Sequence, residues 1–208
     1  MLLTSSSALL PSNDYSSIEG NIPLAQKQRC AEIFAHFIGQ PATSFGAAIG
    51  RDLKLAVVNV YGLTDSTGRK EAETVCEIEV TRDMCNVYGT LHGGCAAYLI
   101  DPCSVSALVA LGVATGTDGT GVSQSMNLIW HRPVVQGTRL RIVSNTISMD
   151  GRLRSSRSEV RSSPHFTTIY QFNVVQIQDR LNGAVYVSAV HTTMALNSKP
   201  PHASKGKL

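Results

Sequence analysis

The apolar positions change their period along the chain, and those changes mark its elements. From Gln26 to Ile38, the residues Cys30, Ile33, Phe34 and Phe37 recur at the spacing of an amphipathic helix. Six later segments instead alternate, or are rich in β-branched and aromatic residues: Lys54 to Tyr61, Glu73 to Val80, Ser123 to His131, Thr138 to Ile147, Leu153 to Val160 and Val185 to Leu196. Turn-forming runs such as Asp65-Ser66-Thr67-Gly68 and Asp150-Gly151 separate them. Among the strands lies one long helical pattern, Gly93 to about Leu111, whose Ala96, Leu99, Cys103, Ala107 and Ala110 are mostly small. Small side chains let a helix lie close against a curved sheet, so the pattern predicts an α+β domain with an antiparallel sheet wrapped around one central helix. Pro102 falls inside that helix and predicts a kink, because proline removes a backbone bond and crowds the preceding turn.

At 208 residues and 43% hydrophobic, the chain can bury one core but is short for two. The reading is a single domain over 24–196, between a flexible lead-in (1–23) rich in Ser and Asn and a flexible tail (197–208). The 18 basic and 15 acidic residues form no basic run interleaved with aromatics, so no nucleic-acid partner is expected. Five cysteines without CxxC or zinc spacing read as buried thiols in a reducing compartment, with no metal and no cofactor. The first twenty residues carry acids and no base, which fits neither a signal peptide nor a mitochondrial presequence well. The expected compartment is the cytoplasm, with the mitochondrion left open. The best apolar stretch, Val105 to Ala114, is about half of what a membrane span needs, so none is expected.

Candidate chemistry concentrates in Asn86-Val87-Tyr88-Gly89-Thr90-Leu91-His92-Gly93-Gly94 and the helix that follows, with its single acid, Asp101. A glycine pair at a helix mouth leaves backbone N–H groups bare and directs the positive end of the helix dipole at a docking group, as oxyanion stabilisation requires. An acid on a mostly apolar helix is costly to bury unless it is paired or used, so Asp101 is a candidate base or nucleophile. Along a straight helix Gly93 and Asp101 stand about 12 Å apart in height, too far for one carbonyl to touch both. If both act, the acid comes from a second copy, which predicts a dimer. Taken alone, Asn86 is as well explained by a turn or cap before the helix.

The run NVYGTLHGGCAAYLID, followed by Gly121-Val122-Ser123, resembles the hotdog-fold thioesterases, in particular small acyl-coenzyme A thioesterases with the motif N-x-x-G-x-x-H-G-G and an Asp nine residues after the His. The likeness covers roughly residues 50 to 195. It implies that the Gly93 N–H receives the thioester oxygen and that Asn86 holds the water or the carbonyl. From the other subunit, Asp101 would act as base or nucleophile and Ser123 would orient it or the water. It also implies substrate contacts at His92, which supports the turn rather than acting as a base, and at Trp130, Gly151 and Arg152. The implied partners are an acyl-CoA and further copies of the chain, as a homodimer or homotetramer. A cysteine nucleophile at Cys95 or Cys103 lacks a His and Asn arrangement to support it.

A hotdog hydratase is disfavoured because Asp101 has no histidine at a matching position. A non-catalytic acyl-CoA or acyl-carrier binding module is the alternative to the enzyme. Three features depart from the motif's usual setting: Pro102 directly after the acid, a long loop over 115–120, and the segment Val160 to Gln176, which interrupts a hairpin. Removing that segment restores strand, turn and strand, and its end residues are compatible with splice-site codons. It therefore reads as an insertion, namely a short intron translated in frame.

Overall fold

The computed structural model describes residues 15–39, 43–64, 69–162 and 184–195. Six antiparallel strands form one sheet: β1 (Lys54–Tyr61), β2 (Glu71–Glu79), β3 (Val122–Trp130), β4 (Arg139–Ser148), β5 (Leu153–Ser162) and β6 (Val185–Met194). Their order is β1-β2-β4-β5-β6-β3. Three helices accompany them: α1 (Leu24–Ile38), the single-turn α2 (Ala47–Gly50) and α3 (Gly93–Thr115). All six strands and both long helices expected from the pattern are present, with ends displaced by a few residues.

The sheet wraps α3. Leu99, Ile100, Cys103, Ala107, Leu108 and Ala110 on the helix are fully buried, opposite Val58, Cys76, Leu140, Ile142 and Val160 of the strands. The loop after α3 also lies close on the helix: a Cβ on Gly119 would sit 2.2 Å from the Leu108 carbonyl oxygen. Burial at this density accounts for most of the fold's stabilisation, at about 1.5–3 kcal/mol for each fully buried large aliphatic side chain. α3 is one unbroken helix through Pro102 and ends on Gly116 in the left-handed conformation (φ 74°).

At 23 residues, α3 is long and apolar enough to cross a membrane, contrary to the expectation from Val105 to Ala114 alone. That expectation counted only those ten residues, whereas the helix runs from Gly93 to Thr115. Here 67% of its most apolar window is buried within the fold.

The lead-in is shorter than expected. Ile18 and Ile22 are buried in the core, and Glu19 bridges β1 in parallel, its N–H donating to the Ala56 carbonyl and its carbonyl accepting from Val58 N–H. Asn21 adds its amide to the Val60 backbone, so residues 15–22 cover the outer edge of β1. A polar Ser/Asn composition hid two isoleucines spaced to reach inward. The sheet's other edge, β3, is open and exposed along most of its length. The segment 160–176 begins inside β5, where Val160, Arg161 and Ser162 continue the ladder with β4. The rest of it, the tail 197–208, residues 1–14 and the turn 65–68 lie outside the described residues.

Candidate active site

The loop before α3 is built by Asn86. Its Oδ1 accepts from the backbone N–H of Tyr88 and Thr90 (2.9 and 3.3 Å), and its Nδ2 donates to Thr90 Oγ1 (3.0 Å). Gly89, at φ 73°, supplies the left-handed residue that the turn needs. Asn86 is therefore primarily the turn former, with one amide hydrogen left for another acceptor.

His92 caps α3. Its Nδ1 accepts from Gly94 N–H at 3.0 Å, while its backbone N–H donates to the Met84 carbonyl. The cap consumes one glycine amide and leaves that of Gly93 among the free N–H groups of the first turn. Gly93 faces the Trp130 ring, which a Cβ at Gly93 would meet at 3.7 Å. Gly93, Trp130, His131 and Arg132 line a pocket of about 280 Å³.

Asp101 lies elsewhere. It lines a larger pocket of about 390 Å³ between α1 and α3, walled by Phe34, Phe37, Phe45, Tyr98 and Val105, with Ser123 beside the acid. Ser123 Oγ donates to Asp101 Oδ1 at 3.1 Å, so the motif acid and the motif serine meet within one chain. The Asp101 side chain is 48% exposed rather than buried as expected, because its position on α3 points past the sheet to the open side of the pocket.

The described chain does not bring these two groups together. In the β3–β6 ladder Ser123 pairs with Thr193 and Trp130 with Val187, seven positions apart on β3, or about 23 Å at strand rise. Gly151 and Arg152 stand in the β4–β5 turn at the Ser123 end, where the Arg152 carbonyl accepts from Ala195 N–H and the guanidinium approaches Met194 Sδ.

Two residues escaped the sequence reading. His191, on β6, is fully buried, with Nδ1 2.6 Å from Ser104 Oγ and Nε2 3.7 Å from Asp101 Oδ1. Asp101 therefore has a histidine neighbour after all, which corrects the premise used against acid–histidine chemistry. The residues are 90 apart in sequence, and only the strand order joins them. Arg132, two residues after Trp130, lines the smaller pocket and carries no motif signal that would have found it. The thiols are poor nucleophiles: burial, then the nearby Cys85, pushes Cys95 up to about 11, and burial raises Cys103 well above the usual thiol value. Among the described residues no group of three or more His, Cys, Asp or Glu side chains is placed to hold a metal.

No family model matches the chain. Over 88 residues it is 33% identical to acyl-coenzyme A thioesterase 13 of Homo sapiens and of Pongo abelii, covering 42% of this chain and 60% of those proteins. The chain thus aligns with about three fifths of the length of these relatives. Among solved structures, zebra fish thioesterase superfamily member 2 superposes with a TM-score of 0.55 at 20% identity, covering 80% of this chain and 96% of that one. The Mus musculus thioesterase superfamily member 2 gives 0.53 at 18%, covering 80% and 95%. The resemblance read from the motif is matched by these relatives, and the chain has the hotdog fold of the thioesterase superfamily members.

Proposed function

We propose that the chain hydrolyses an acyl-coenzyme A thioester to the free acid and coenzyme A, at a site completed by two copies of the chain. The observation that carries this reading is the Ser123–Asp101 hydrogen bond at the mouth of an apolar pocket. It supplies an oriented carboxylate beside a space suited to an acyl chain. The two pockets divide the substrate by chemistry: the larger is walled by aromatic and aliphatic side chains with Asp101 as its charged group, while the smaller offers Arg132 and His131 beside Trp130. Acyl chain and coenzyme phosphates prefer these respectively.

Pairing across the open edge of β3 brings the halves together. The strand VSQSMNLIW carries no charge and exposes Val122, Ile129 and Trp130, so nothing on it discourages a second strand. An antiparallel partner reverses the ends, setting Trp130 and Gly93 of one copy opposite Ser123 and Asp101 of the other. In that arrangement the Gly93 N–H holds the thioester oxygen as charge develops on it. Asp101 takes the proton of a water held with Ser123, the water oxygen bonds to the carbonyl carbon, and the C–S bond breaks as that proton passes to the departing sulfur. An oxyanion donor of this kind contributes about 3–4 kcal/mol to the transition state.

The test is hydrolysis of a panel of acyl-CoAs by the wild-type chain and by Asp101→Ala. The expected result is turnover by the wild type and a loss of several orders of magnitude in kcat with the fold retained. Binding without turnover in both proteins would make the chain an acyl-CoA binding module instead.

A further inference from the structure

His191 has one committed nitrogen and one bare one. Ser104 Oγ donates to the Asp101 carbonyl oxygen at 2.8 Å, which uses the only hydroxyl proton Ser104 has. The 2.6 Å contact between Ser104 Oγ and His191 Nδ1 then requires the ring to be the donor, so the proton of the neutral imidazole sits on Nδ1. That leaves Nε2 as a lone pair. It is buried, has no hydrogen-bond partner among the described residues and faces Asp101 Oδ1 at 3.7 Å.

An unpaired buried acceptor is costly, and a lone pair opposite a carboxylate oxygen is a poor resting contact. The same contact becomes a good one once a proton lies between the two atoms. The surroundings keep the ring neutral until then. β5 presents Ser156 opposite His191, β3 presents Met126, and α3 presents Ser104 and Asp101, the last being the charged group that acts on the ring. Burial drives the imidazole below its usual value, and Asp101 opposes this only in part.

We infer that His191 is a positioning residue for Asp101, whose bare Nε2 stabilises the proton that Asp101 takes from water. The inference rests on the proposed role of Asp101 as base. The water O–H bond breaks as its oxygen bonds to the carbonyl carbon, and the proton passes to Asp101 Oδ1. The hydrogen bond to His191 Nε2 forms across the 3.7 Å gap as the two atoms draw together. When the C–S bond breaks, the proton leaves the pair for the departing sulfur. No oxidant or further reactant is needed. Ser104 acts through the ring by fixing its tautomer.

The test combines kinetics with nitrogen NMR on the full chain. In the wild type, ¹⁵N-histidine spectra near pH 7.5 are expected to show His191 protonated on Nδ1 and bare on Nε2; the opposite tautomer overturns the inference. His191→Gln should lower kcat by about tenfold or more with KM nearly unchanged. An unaltered kcat overturns it. Ser104→Ala, the milder change, should release the tautomer and reduce kcat several-fold even if His191→Gln fails to fold; an unchanged tautomer and rate overturns it. Activity lost in Asp101→Ala but unaffected in both other variants leaves the proposed hydrolysis standing and removes His191 from it. A wild-type chain that hydrolyses no acyl-CoA removes both.

Discussion

At the mouth of α3 two adjacent glycine amides look equivalent in the sequence, and the His92 ring separates them. It takes the Gly94 N–H, so Gly93 keeps the free one. Gly93→Ala is a clean probe, since its Cβ would meet only the Trp130 ring at an ordinary 3.7 Å. Thermal stability should stay within a few degrees while the methyl group intrudes on the pocket, lowering kcat/KM for acyl-CoA by about tenfold or more. Cys95, two residues further on, sits where a helix N-terminus ordinarily activates a thiol, yet burial holds it at about 11. Iodoacetamide at pH 7.5 should therefore label it far more slowly than a free thiol, and rapid labelling with loss of activity would contradict the buried setting. His191 makes stability depend on pH with a definite sign. Its folded value lies below 6.5, so the folded state binds fewer protons there than the unfolded one. The stability it confers is complete above about 6.5 and is lost as pH falls through the folded value. Urea unfolding at pH 7.5 and 5 should show this loss in the wild type and less of it in His191→Gln.

Among elements, legibility followed the range of the interactions that fix them. β1 was placed to the residue, because KLAVVNVY carries its own β-branched signal, and α3 was found from its small residues. The pairing of Asp101 with Ser123 was legible only through the motif, since no local pattern joins residues that lie 22 apart. The burial of His191 and the packing of residues 15–22 against β1 were not legible, because both depend on which strands lie side by side. Pro102 lies inside α3, which runs on to Thr115 with its neighbouring turns packed by the sheet and α1. Relieving it should show what it costs. Pro102→Ala is expected to raise unfolding stability by up to about 3 kcal/mol in denaturant titration. The loop after α3 responds in the opposite direction. Gly119→Ala would press a methyl group against the Leu108 carbonyl and Val109 Cα, at 2.2 and 2.5 Å, and should cost about 1–3 kcal/mol through displacement of loop from helix.

For the molecule as a whole the exposed edge of β3 is the feature on which the proposed two-chain site rests. The opposite edge is covered by residues 15–22, so among the described residues the sheet offers an uncovered strand on one side only. If two copies pair there, every site takes Gly93 from one chain and Asp101 with Ser123 from the other. That arrangement can be separated genetically. Chains bearing Asp101→Ala keep an intact glycine amide, and chains bearing Gly93→Val keep an intact acid; each alone should be nearly inactive. Mixed in equal amounts and allowed to exchange, half of the dimers are heterodimers, each with one site intact in both parts and one site damaged in both. The mixture should therefore recover about a quarter of wild-type activity per chain. Sites contained within single chains would recover nothing. Introducing Asn127→Lys near the middle of β3 should set like charges across the two-fold axis, leave monomers in sedimentation and abolish the recovery. Persistence of activity in such a monomer would place the whole reaction within one chain.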